Sequence, residues 1–189
     1  MILRVRRQGA VQAQGSLPSA PGSYLLALRL QEPERLSIGA LGEQDFAAGA
    51  YVYCGSALGP GGVRARVRRH VEGAAALHWH IDYLLRRARV LAVWARTGPR
   101  RLECEWAAAM SSSGEFTSPV PRFGASDCRC PSHLWRAGVR IAVLNSALRR
   151  LPSAPLVPSP RGCRRIRDCA QDSGERMGAA GLEPATQGL

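Results

Sequence analysis

Between residues 21 and 135 the chain alternates short apolar runs with polar, glycine-rich breaks, and the spacing inside each run separates strand from helix. SYLLALRL at 23–30 alternates weakly and stops at Gln31-Glu32-Pro33, which predicts a strand and a turn. RLSIG at 35–39 reads as a second short strand, and AYVYC at 50–54 as a third with Gly55 at its end. Gly59-Pro60-Gly61-Gly62 then forces a turn, and VRARVRRHV at 63–71 has helical spacing. HWHIDYLLRRA at 78–88 predicts a second helix, ARVLAVWAR at 88–96 another strand, and RRLECEWAAAM at 100–110 a third helix opened by Gly98-Pro99. The expected fold is α+β: a small, mostly antiparallel sheet of about three to four strands flanked by helices.

The flanks lack this pattern. Residues 1–20 show no sustained periodicity and read as a disordered leader. From 136 to 189 the chain is rich in Pro, Ser, Gly and Arg, and only IAVLNSALRRL at 141–151 has the pattern of a helix, so a disordered low-complexity tail is expected. No internal repeat is present. All 26 basic residues are arginine, and most of the +12 net charge lies in the flanks: 21–135 holds 14 Arg against 10 Asp and Glu. Global charge therefore argues only for solubility and general attraction to polyanions; the local cluster Arg64, Arg66, Arg68 and Arg69 is the sharper signal. MILRVRR is not followed by an apolar run of signal-peptide length, and no window approaches a membrane span, so a cytoplasmic location and no membrane partner are expected. In that reducing compartment Cys54, Cys104, Cys128 and Cys130 are expected as thiols or metal ligands.

Helical periodicity selects among the polar residues. Val63, Val67 and Val71 form the apolar stripe of the first helix, which places Arg66 and His70 on its edge and turns Arg64 and Arg68 elsewhere. In the third helix Leu102, Trp106, Ala109 and Met110 form the stripe, with Glu105 on its edge and Glu103 off it. A carboxylate against an apolar face needs a cation, a metal or hydrogen bonds; a salt bridge to Arg66 or a capping role would also satisfy Glu105.

With GSY at 22–24, YCG at 53–55, VRARV in the first helix and CEWAAAM in the third, residues 21–135 resemble the GIY-YIG nuclease superfamily. HWHIDYLL and FGASDCRCPSHLW resemble its Uri-like branch, small proteins long filed as a domain of unknown function. The resemblance implies a metal-dependent endonuclease that hydrolyses phosphodiester bonds in nucleic acid, with DNA favoured and RNA left open. It implies Tyr24 and Tyr53 as paired active-site phenols, Arg66 as the phosphate-binding arginine, His70 beside them, and Glu105 as the ligand of one magnesium ion. Arg64, Arg68, Arg69 and Ser56 are the expected nucleic-acid contacts. The alternative is a catalytically degenerate nucleic-acid-binding module of the same fold. Residues 31–49, longer than the link between the two tyrosines in compact members, read as an insertion carrying the RLSIG strand.

Two further groups stand apart. His78, His80 and Asp82 would diverge on a helix, so at most two share a site with Arg66, and a helix-start cluster is the plainer reading. Cys128, Cys130 and His133 offer three zinc ligands and need a fourth from elsewhere; a loop of buried thiols is the other reading.

Overall fold

The computed structural model describes residues 2–5, 11–12 and 17–138. Strand β1 (Ile2–Val5) and strand β2 (Val11–Gln12) precede β3 (Gly22–Leu30), β4 (Glu34–Ser37), β5 (Glu43–Phe46) and β6 (Gly49–Ala57). Helices α1 (Gly62–Glu72) and α2 (His80–Leu84) follow, then β7 (Arg89–Thr97), α3 (Glu103–Ser112), β8 (Phe116–Thr117) and β9 (Leu134–Ala137). The main sheet runs β2-β1-β7-β3-β6-β9-β8, every pairing antiparallel. The α+β expectation holds, with more strands than the three to four read from the sequence.

Strand β3 is central because it can afford no wet face: eight of its nine residues are buried and only Arg29 is exposed. Alternation sends Tyr24, Leu26, Leu28 and Leu30 to one face, where Tyr51 and Tyr53 of β6, Val63 and Val67 of α1, and Ile81 and Leu84 of α2 complete a core. Leu25 and Ala27 point the other way, with Val52 and Cys54 of β6, and pack under Leu102, Trp106, Ala107 and Met110 of α3. Helix α1 thus covers one face and α3 the other. At about 25 cal/mol per Å² of apolar surface removed from water, these two layers supply the main drive to fold.

Several local expectations change. Within the segment read as a disordered leader, β1 pairs with β7 and with β2. Leu17 is buried, and the carbonyls of Pro18 and Ala20 accept the amides of Arg64 and Val63 at 2.9 and 3.1 Å. The first amides of a helix have no acceptor within it, so this stretch is ordered by capping α1. Helix α2 is one short turn rather than a helix over 78–88, because β7 begins at Arg89. Within the insertion, β4 and β5 form a two-stranded hairpin of their own, rooted by buried Ile38 and Phe46. Strand β9 ends at Ala137, slightly past the expected boundary at 135, and the helix expected over 141–151 lies outside the described residues. Among the described residues, no helix is long and apolar enough to cross a membrane.

Candidate active site

The first residues of β3 meet the last of β6. Tyr24 pairs with Gly55, and Leu26 with Tyr53, so both tyrosines project from the same face two positions apart. Gly55 is required by contact: a Cβ there would sit 2.5 Å from both Cζ and Oη of Tyr24. The two aromatic motifs of the sequence are therefore one object, a phenol lying over a glycine. A cleft of about 500 Å³ opens at this sheet end, lined among others by Tyr24, Tyr53, Ser56, Arg66, Arg101 and Glu103.

Behind Tyr24 stands a polar chain. The Tyr24 hydroxyl lies 2.8 Å from His70 Nε2. His70 Nδ1 faces Asp82 Oδ1 at 3.4 Å, too poorly aligned for a formed hydrogen bond. Asp82 is fixed firmly: Arg69 donates to both its oxygens at 2.9 Å, and the amides of His78 and Trp79 donate to Oδ2 at 2.9 and 3.0 Å. Burial alone would raise the Asp82 carboxyl, but interactions with His70, Arg69 and those amides outweigh it and hold the group far below the usual range. Burial lowers His70 from the ordinary imidazole value, more than Asp82 raises it, leaving the ring neutral near pH 7. Burial also raises Tyr24 well above 10, assisted by Tyr53, against a smaller downward pull from Arg66; Tyr53 is raised by burial first as well. Both tyrosines are thus neutral phenols. At both tyrosines desolvation outweighs the downward pull of Arg66.

The glutamate that lines the cleft is Glu103, two residues before the expected Glu105. Glu105 is outside the cleft, half-exposed and paired with Arg100. Glu103 takes its place: it is 2% exposed, at the first position of α3, and lines the cleft. Ser23 donates to Glu103 Oε2 at 3.4 Å and accepts the Leu102 amide at 2.9 Å, while Arg101 Nε donates to Oε1 at 2.6 Å. Arg101 also reaches Asp127 at 2.8 Å. The apolar stripe misled because the buried line of α3 is Leu102, Glu103, Trp106, Ala107 and Met110, with Ala107 in place of Ala109. Both glutamates lie in the first turn of α3, where the helix dipole favours a carboxylate; Ser23 and Arg101 are what hold Glu103 in the cleft.

Arg66 reaches the cleft as expected, its guanidinium 3.8 Å from the Trp79 ring centroid. Of the expected nucleic-acid contacts, Ser56 lines the cleft and the three arginines do not. Arg64 donates to the Leu17 carbonyl, Arg68 pairs with Glu72, and Arg69 stacks on Trp79 while holding Asp82. His78 and His80 both line the cleft, while Asp82 lies behind it; His80 Nδ1 accepts the Gly124 amide at 3.0 Å.

The cysteine group gains its fourth member. Ligand atoms of Cys104, Cys128, Cys130 and His133 lie within 4.8 Å of one another. Cys104, the second residue of α3, is the fourth member; the sequence offers it as a thiol or metal ligand without joining it to this group. His133 Nε2 is 3.4 Å from Cys128 Sγ and 3.8 Å from Cys104 Sγ. Burial pulls His133 down, but hydrogen bonding with Cys128 and Cys130 prevails and pushes it up to about 9.

The model of a family described as "Domain of unknown function DUF123" matches residues 23–153, beginning within the GSY motif and running past the last described strand. No curated protein and no solved structure matches the chain.

Proposed function

The chain belongs to the DUF123 family, and we propose that in this member the cleft is the active site of a GIY-YIG-type endonuclease that hydrolyses phosphodiester bonds in nucleic acid, DNA foremost. The observation that carries the reading is convergence: two phenols from adjacent strands, a guanidinium from α1 and a buried carboxylate from α3 share one cleft.

Arg66 neutralises the charge that builds on the phosphoryl oxygens, the step at which a fixed cation contributes most. Tyr24 and His70 form a relay. The phenol takes a proton from the attacking water as its own passes to His70 Nε2. The imidazolium so formed faces the Asp82 carboxylate at 3.4 Å, which stabilises it. A neutral resting His70 and a protonated Tyr24 are the states this relay needs. Tyr53 borders the same space and offers its hydroxyl to the phosphate.

The cleft's oxygen donors, Glu103 with Ser23 and Asp127 close by, suit a hard cation such as magnesium, which keeps several waters when held by few protein ligands. Glu103 would hold it, in exchange for its present bond from Arg101. When bound, such an ion supplies positive charge to the leaving oxygen.

The test is incubation of the purified chain with branched, duplex and single-stranded substrates, with magnesium or with chelator. Magnesium-dependent cleavage by the parent chain and by Glu105→Ala, with cleavage lost but binding kept in Glu103→Ala, supports the enzyme. Binding without cleavage of any substrate by the parent would overturn it in favour of a nucleic-acid-binding module.

A further inference from the structure

We propose that Cys104, Cys128, Cys130 and His133 bind one structural zinc ion that fastens the start of α3 to the 124–133 loop and so fixes the cleft's carboxylate. The distances carry the first half. Tetrahedral zinc, with Zn–S near 2.3 Å and Zn–N near 2.0–2.1 Å, places neighbouring sulfurs about 3.8 Å apart and sulfur and nitrogen about 3.6 Å apart. His133 Nε2 lies 3.4 and 3.8 Å from two of the sulfurs, and no pair of ligand atoms exceeds 4.8 Å. All three cysteines are free thiols in the structure, so a disulfide does not account for the gathering.

Ligand chemistry carries the second. Three soft thiolates and one imidazole select zinc among common cations, and four protein ligands leave no open position, the mark of a structural rather than a catalytic ion. Magnesium, which takes oxygen donors, is excluded from this group and belongs with Glu103. Buried Cys54 is nearby but outside the set.

Topology gives the ion its consequence. Cys104 follows Glu103 on α3, and Cys128 follows Asp127, the residue that shares Arg101 with Glu103. His133 is anchored in turn: its amide donates to the Phe123 carbonyl at 2.8 Å, and its carbonyl accepts the Cys54 amide of β6 at 2.9 Å. One ion therefore ties α3, the loop and β6 together directly behind Glu103. These residues are positioning residues; none of them needs to touch substrate.

Metal analysis of the full chain purified without chelator tests this independently of nuclease activity. One equivalent of zinc per chain is expected, together with the visible bands of tetrahedral thiolate cobalt after exchange. Cys54→Ser should keep the metal, and Cys130→Ser should lose it. Chelation of the parent chain should lower Tm by about 10 °C, reversed by added zinc and not by magnesium. With zinc removed, the magnesium concentration for half-maximal cleavage should rise at least tenfold while nucleic-acid affinity changes less than threefold. No zinc in the purified chain and no cobalt spectrum on reconstitution, or full zinc retained in Cys130→Ser, would overturn the site. Bound zinc with an unchanged magnesium requirement would overturn its positioning role.

Discussion

Helices α1 and α3 flank the sheet from opposite faces, yet each delivers one charge to the cleft at its end. Helix α1 does so from its middle: Arg66 and His70 lie one turn apart on the flank of a valine stripe, and the opposite charge comes from outside the helix, at Asp82. Helix α3 does so from its first residue, where Glu103 is held by a strand hydroxyl and a neighbouring guanidinium. The difference lies in what compensates the buried group. Mid-helix, every amide is spent within the helix, so a polar side chain must find partners on another element. At a helix start the dipole assists and the preceding turn brings Arg101 within reach, so with Ser23 of β3 a buried carboxylate is tolerated where the apolar pattern alone would forbid it.

The sharpest way to break this contrast acts on α1. Arg66→Ala should cut kcat by about 10² to 10³-fold, the usual effect of losing one fixed donor to developing charge, whereas Arg68→Ala, one Glu72 pair away on the solvent side, should stay within threefold. Single-turnover cleavage would decide; equal losses would mean the arginines act as a diffuse field. A smaller effect is expected where the strands meet. Gly55→Ala forces a methyl against the Tyr24 ring and should cost about 1–3 kcal/mol of unfolding free energy by urea titration, with cleavage falling further than stability.

Smaller still are the pH effects. His70 is lowered from 6.5 by burial, so the unfolded chain binds its proton first, and stability contributed by the neutral ring erodes as pH falls through that value. The acid limb of cleavage should accordingly lie below pH 6.5. Asp82 is depressed, so its contribution is present above the ordinary carboxylate value and is lost as pH falls toward its folded value. Asp82→Asn should flatten that acid-side loss in urea titrations and shift the acid limb of cleavage. An unmoved limb would separate His70 from the proton relay.

Much of this was legible in the chain. The strands at 23–30 and 50–54 and the valine stripe follow from periodicity, because those residues pack against apolar neighbours, and the stripe in turn sets Arg66 and His70 on its flank. Glu103 was missed for the opposite reason: its surroundings are Ser23, Arg101 and Asp127, contributed by β3, the turn before α3 and a distant loop. Local periodicity carries no trace of such partners. Cys104 escaped likewise, since its companions lie more than twenty residues away. The ordering of 17–20 depends on amides that α1 leaves open, which is visible only once the helix start is known.

The pairing of Tyr24 with Gly55 has one more implication. Side chains alternate along a strand, so sliding β6 past β3 by a single residue would send Tyr53 through to the opposite side and set the side chain of Cys54 or Ser56 against the Tyr24 ring, where even a Cβ does not fit. A misaligned chain therefore loses the Tyr53 hydroxyl from the cleft and gains a clash at Tyr24 in the same step. Strand alignment thereby decides the cleft: only a correctly zipped sheet brings Tyr24 and Tyr53 together on one face.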